Sequence, residues 1–174
     1  MIIKFNGNKV YKMIGVIVME KTIKQLIEDL NDDDEFVQEE ALGILEFRSE
    51  ESLDPLIEAL STKGTNKNIK MSSAKLLGVI SDEKAIDPLI ATLKDNNKLV
   101  RREASTALSR MGDKAVDPLI AILDDEDWRV RGAAAWALGK IGDKNAIDPL
   151  KSLLDDDSGF VRTGAKFALD NIEE

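Results

Sequence analysis

A chain of 174 residues, 43% apolar and 33% charged, has the size and composition of one soluble domain with an ample core. It contains no His and no Cys, which excludes zinc fingers, iron–sulfur clusters, His-ligated haem, thiol nucleophiles, His-based acid–base pairs and disulfide frameworks. Its 24 Lys+Arg against 33 Asp+Glu give a formal net charge of -9, which runs against a nucleic-acid binder, because phosphate is neutralised by clustered bases.

The first 18 residues differ from the rest. They carry Lys4, Lys9 and Lys12 and no acid. Their apolar run from Met13 to Met19 falls well short of the roughly 20 residues of a membrane span. Met19-Glu20-Lys21 offers no small-residue cleavage site, so a cytoplasmic chain away from membranes is expected. Asn6-Gly7 between β-rich runs is a hairpin signal, and an apolar hairpin here would cap the following end. The alternative is an extension upstream of a start at Met19. Residues 1–18 are therefore read as an extension or cap, and 19–174 as one repeat domain.

From there the chain repeats about every 31 residues. The first unit has Lys24-Gln25-Leu26, then Val37-Gln38 and Leu45. The second has Asp54-Pro55-Leu56, a loop-like stretch from Ser61 to Asn68, then Ile69-Lys70 and Leu77. The third has Asp87-Pro88-Leu89, Val100-Arg101 and Leu108; the fourth, Asp117-Pro118-Leu119, Val130-Arg131 and Leu138; the fifth, Asp148-Pro149-Leu150, Val161-Arg162 and Leu169. In all five the leucine follows the β-branched residue by the same offset, so two registers share one period.

Each unit reads as two helices. In the fourth, Val130, Ala134, Ala137, Leu138 and Ile141 fall within an arc of roughly 100°. Gly142 supplies a left-handed helix end, and Asp143 is a candidate N-cap for the next helix. That helix has Ile147, Leu150 and Leu154 on one stripe. Pro149 either sits inside it, with an irregular first turn or kink, or occupies its first position behind an Asp148 cap; the longer, kinked helix is preferred. A pair this short cannot bury its stripe alone. Five stacked pairs make an all-α solenoid with a continuous core.

These motifs resemble HEAT-like repeats, in particular the short phycobilisome-lyase type. The matching residues are Gly142-Asp143-Lys-Asn-Ala-Ile-Asp-Pro-Leu, followed by Asp156 and Val161-Arg162. The resemblance spans about residues 20–172. It implies an Asp six residues before each repeat arginine, laddering between neighbouring repeats. Asp95 and Arg101, Asp125 and Arg131, and Asp156 and Arg162 match it. Gln38, Gly64 and Lys70 break the pattern, so the ladder is expected to be regular only in the last three repeats. The iron chemistry of the deoxyhypusine hydroxylase branch has no His to use here.

The resemblance also implies that second helices line the concave face. On the Val130 wheel the buried arc centres near about 30°, with Gly132 at about 200° and Trp136 at about 240°. A large ring thus lies on the polar side, and Phe167 is its equivalent one repeat on. With small Gly132, Ala133, Thr163 and Gly164 beside them, the two rings would form a shallow shelf for a partner. Packing against a neighbouring helix is the plainer alternative. Trp128 and Arg129 would extend the shelf, and Met71 and Arg102 would continue it. Glu39 and Glu40 hold the same offset in repeat one, within residues 28–54, which carry twelve acids and one base. That stretch would attract a basic peptide, or serve capping and solubility. The acidic runs at Asp32 and Asp155 lack the alternating ligands of a calcium loop.

The reading is a non-enzymatic, protein- or peptide-binding scaffold without cofactor or metal. A lyase-like enzyme subunit acting on a bound ligand is the rival, and self-association is a third use of the same face.

Overall fold

The structure, a computed structural model, describes residues 21–173. The expected hairpin at Asn6-Gly7 lies outside them. The described chain is an α-solenoid of ten α-helices forming five pairs. The pairs are α1 (Ile23–Asp29) with α2 (Glu35–Phe47), α3 (Ser49–Ser61) with α4 (Lys67–Ile80), α5 (Ile86–Thr92) with α6 (Lys98–Arg110), α7 (Val116–Ile120) with α8 (Trp128–Ile141), and α9 (Ile147–Lys151) with α10 (Gly159–Glu173). The second helices lie side by side in one layer, and the first helices form the other.

Local chemistry sets the helix starts. In every pair but the second, an Asp in the turn accepts from the N–H two residues on: Asp32 from Asp34, Asp95 from Asn97, Asp125 from Asp127 and Asp156 from Ser158. Asp34, Asn97 and Asp127 then cap α2, α6 and α8, each side chain accepting an orphan N–H of the first turn. Of the acidic runs, Asp32, Asp34 and Asp156 thus serve turns and caps. Gly142 ends α8 at φ 81°, in the left-handed region. Asp143 then accepts from the Asn145 N–H at 2.7 Å.

The prolines lie inside their helices, behind an irregular first turn in the last three repeats. Pro55 is within α3, whereas α5, α7 and α9 each follow a 3₁₀ turn, at Glu83–Ala85, Gly112–Ala115 and Lys144–Ala146. A second 3₁₀ segment, Ser152–Asp155, corrects the expected stripe of the fifth pair. Three residues per turn put Leu153 beneath Leu150, so Leu153 is 5% exposed and Leu154 is 40% exposed.

The repeat leucines Leu45, Leu77, Leu108, Leu138 and Leu169 are all buried, as are Val130, Ala134 and Ala137. Two glycines bring second helices close together. A Cβ on Gly78 would stand 2.7 Å from the Ala107 Cα, and one on Gly139 would stand 2.5 Å from the Ala168 Cα. The equivalent residue in α6 is Ser109. Without a glycine there, α6 and α8 pack less extensively than α4 with α6 or α8 with α10.

The turn ladder differs from the expected one. Arg101, Arg131 and Arg162 each donate Nη1 to the backbone carbonyl of their own Asp, at 2.7, 2.7 and 2.6 Å. Between repeats, Lys70 pairs with Asp95 at 2.8 Å and Arg131 with Asp156 at 2.7 Å. At the middle step Lys94, not Arg101, holds Asp125, at 2.9 Å. Lys70 therefore continues the ladder that its departure from Arg was expected to break: an ammonium on a flexible stem reaches the same carboxylate.

Candidate functional site

The looser α6–α8 seam opens into a groove of about 540 Å³. From α6 come Lys98, Arg101, Arg102 and Ser105. From α8 come Trp128, Arg129, Gly132, Ala133 and Trp136. Phe160, at the start of α10, closes one end. The floor is small side chains, and the buried Ser105 fastens it, its Oγ donating to the Ala133 carbonyl at 2.9 Å.

Three rings and four cations surround that floor. Trp128 and Phe160 meet edge to face, with centroids 5.5 Å apart and planes at 75°. They remain 47% and 59% exposed. The Phe160 ring rests on Gly132, where a Cβ would come within 2.4 Å of it. Trp136 is half-buried farther along α8, with the Lys140 ammonium 5.7 Å from its centroid. Arg129 is committed to Asp127, donating Nη2 at 2.6 Å and Nε at 2.9 Å. That guanidinium holds the Asp127 carboxyl down to about 2, outweighing the opposing effect of burial. Arg101 is held by the carbonyls of residues 95 and 96. Lys98 and Arg102 make no ion pair among the described residues.

Of the residues singled out from the sequence, Trp136, Gly132, Ala133, Trp128, Arg129 and Arg102 come together in this groove. The others lie elsewhere. Phe167 is half-buried and 5.1 Å from Lys140, so the ammonium serves both rings and the expected Trp136–Phe167 shelf is not the groove. Gly164 backs onto α8, where its Cβ would meet the Gly132 carbonyl at 3.5 Å. Thr163 is exposed and turns its Oγ1 to the Gly159 carbonyl at 2.9 Å. Met71 is half-buried on α4, away from the groove. Glu39 is exposed on α2, and Glu40 pairs with Lys21 at 3.3 Å.

The sequence motifs do not point to Phe160, Lys98 or Ser105 as groove residues, and mark Arg101 only for the turn ladder. Phe160 had a readable signal: it lies about one repeat after Trp128, at the start of a second helix. Ser105 had none, because the α6–α8 spacing that brings it to Ala133 is a tertiary property. No group of acids arranged to hold a metal occurs among the described residues, and none of their helices is long and apolar enough to cross a membrane.

The paired helices, turn ladder and shared groove define a helical-repeat protein. The HEAT-repeat family model matches residues 23–109 and 86–170, so the chain belongs to the HEAT repeats. No curated protein matches it. Among solved structures it is similar to the complex of CpcE and CpcF of phycocyanin lyase from Nostoc sp. PCC7120, at 23% identity and TM-score 0.60, over 84% of this chain and 96% of that one. It is also similar to an archaeal HEAT-like repeats protein from Thermococcus onnurineus NA1, at 19% identity and TM-score 0.55, over 94% of this chain and 76% of that one. A designed armadillo repeat protein in complex with the peptide (KR)4 shares 19% identity at TM-score 0.47, over 92% of this chain and 86% of that one.

Proposed function

We propose that this HEAT-repeat protein is a non-enzymatic scaffold that holds a protein or peptide in the groove along α6, α8 and α10. The observation that carries the reading is the set of rings. Trp128, Trp136 and Phe160 converge on one small-residue floor and stay partly exposed, although a solenoid core would have buried them at lower free energy. Tryptophan is the side chain most enriched at binding hot spots, because it offers large contact area at little rotamer cost.

The groove is open to solvent and no carboxylate lines it, so the converging acids that would favour the enzyme-subunit reading are not gathered there. The fold shared with the phycocyanin lyase complex carries over architecture alone.

The test is capture of a partner from the native host with the wild-type chain and with Trp136→Ala and Phe160→Ala. The scaffold reading predicts that the captured protein is lost while both variants keep the wild-type melting temperature. A melting temperature several degrees lower, with the partner still held, would make the rings structural and end this reading.

A further inference from the structure

Resting on the scaffold reading, we infer that the groove takes an acidic segment of another protein, carrying one bulky apolar anchor. Its two walls differ in chemistry. The α6 wall presents Lys98, Arg101 and Arg102, and the α8–α10 wall presents Trp128, Trp136 and Phe160. In a chain of formal net charge -9, a groove lined by bases without an acid is a local reversal of sign.

The bases are not all spent within the protein. Asp127 neutralises Arg129, and Arg101 is held by backbone carbonyls. Lys98 and Arg102 are exposed and make no ion pair among the described residues. A ligand carboxylate at the α6 wall would find two cations and form charge-assisted hydrogen bonds. An apolar side chain beside it would lie over Gly132 and Ala133 against the rings. A basic segment would meet like charge on the same wall. A nucleic acid would meet the acids of residues 28–54 and the net charge of the whole chain, against three groove cations free of ion pairs among the described residues, Lys98, Arg101 and Arg102.

The experiment is fluorescence anisotropy of a labelled peptide of glutamates around one phenylalanine. Its controls are the same peptide built on lysines, a glutamate peptide with serine for phenylalanine, and single-stranded oligo-dT. The glutamate–phenylalanine peptide binds best, and Arg102→Glu weakens it by about tenfold or more, as does raised salt. Because Arg102 is exposed, the variant keeps its melting temperature; Arg102→Gln gives the same direction with a smaller loss.

Tighter binding of the lysine peptide, strengthened by Arg102→Glu, overturns the acidic-ligand inference and leaves the scaffold standing. Preferential binding of oligo-dT overturns both. Concentration-dependent sedimentation abolished by Arg102→Glu would make the occupant a second copy, docking its own acidic end, and would overturn the inference. If no probe binds while Trp136-dependent partner capture persists, the inference alone fails.

Discussion

The ring of Phe160 occupies the space that a side chain on Gly132 would fill. A Cβ there would lie 2.4 Å from Cε1 and 2.6 Å from Cδ1 of that ring, with no backbone in the way. Gly139, two turns on along α8, faces backbone instead: a Cβ at that position would lie 2.5 Å from the Ala168 Cα. The same chemical change therefore has different consequences at the two sites.

Gly132→Ala swings the Phe160 ring aside and breaks its edge contact with Trp128, at a stability change under about 1 kcal/mol, since the obstructing atom is the far end of a side chain. Gly139→Ala forces α8 and α10 apart and costs about 1–3 kcal/mol. Urea denaturation measures both, and the tryptophan emission of the folded Gly132→Ala variant reports the lost ring contact. Equal losses at the two sites would contradict the close approach of α8 and α10.

Ser105 fastens α6 to α8, which pack less extensively than α4 with α6 or α8 with α10, by donating to the Ala133 carbonyl. Ser105→Ala should cost about 0.5–1.5 kcal/mol, the usual worth of one such bond. It should also raise hydrogen exchange in α8 more than in α4. Unchanged exchange along α8 would show that the seam does not depend on it.

Acid should loosen the turns first. The Arg129 hydrogen bond holds the Asp127 carboxyl at about 2, and that of Arg131 holds Asp156 below its ordinary value. Folded-state values below the unfolded ones mean that the unfolded chain takes up protons first as pH falls. Both contributions are present above the ordinary carboxylate range; that of Asp127 is lost as the pH drops through about 2, and that of Asp156 is lost below its ordinary value. Urea midpoints measured across that window should decline for the wild type, and less steeply for Arg131→Ala. Parallel declines would remove the Arg131–Asp156 pair from the account.

Much of this architecture is legible in the sequence, because its cause is local. The offset from Val130 to Leu138 follows from helical periodicity, and the Gly142-Asp143 punctuation follows from backbone and capping chemistry. What depends on how helices lean together is not legible. A wheel drawn at a constant 100° per residue picks Leu154, whereas the 3₁₀ segment turns Leu153 inward. The same wheel places Trp136 and Phe167 on the polar side, and gives no sign that Lys140 lies near both rings while Phe160 supplies the wall. Lys70 entered the ladder because reach, and not residue type, decides whether Asp95 is met.

The chain's two tryptophans both line the groove, so their indole N–H resonances report its occupancy directly. In a ¹⁵N-labelled sample titrated with the captured partner or the glutamate–phenylalanine peptide, both indole signals should move, together with the amides of Arg102 and Phe160. The amides of α2 should stay in place. Indole signals that hold still while α2 amides shift would put the binding site at the acidic end and contradict the central claim.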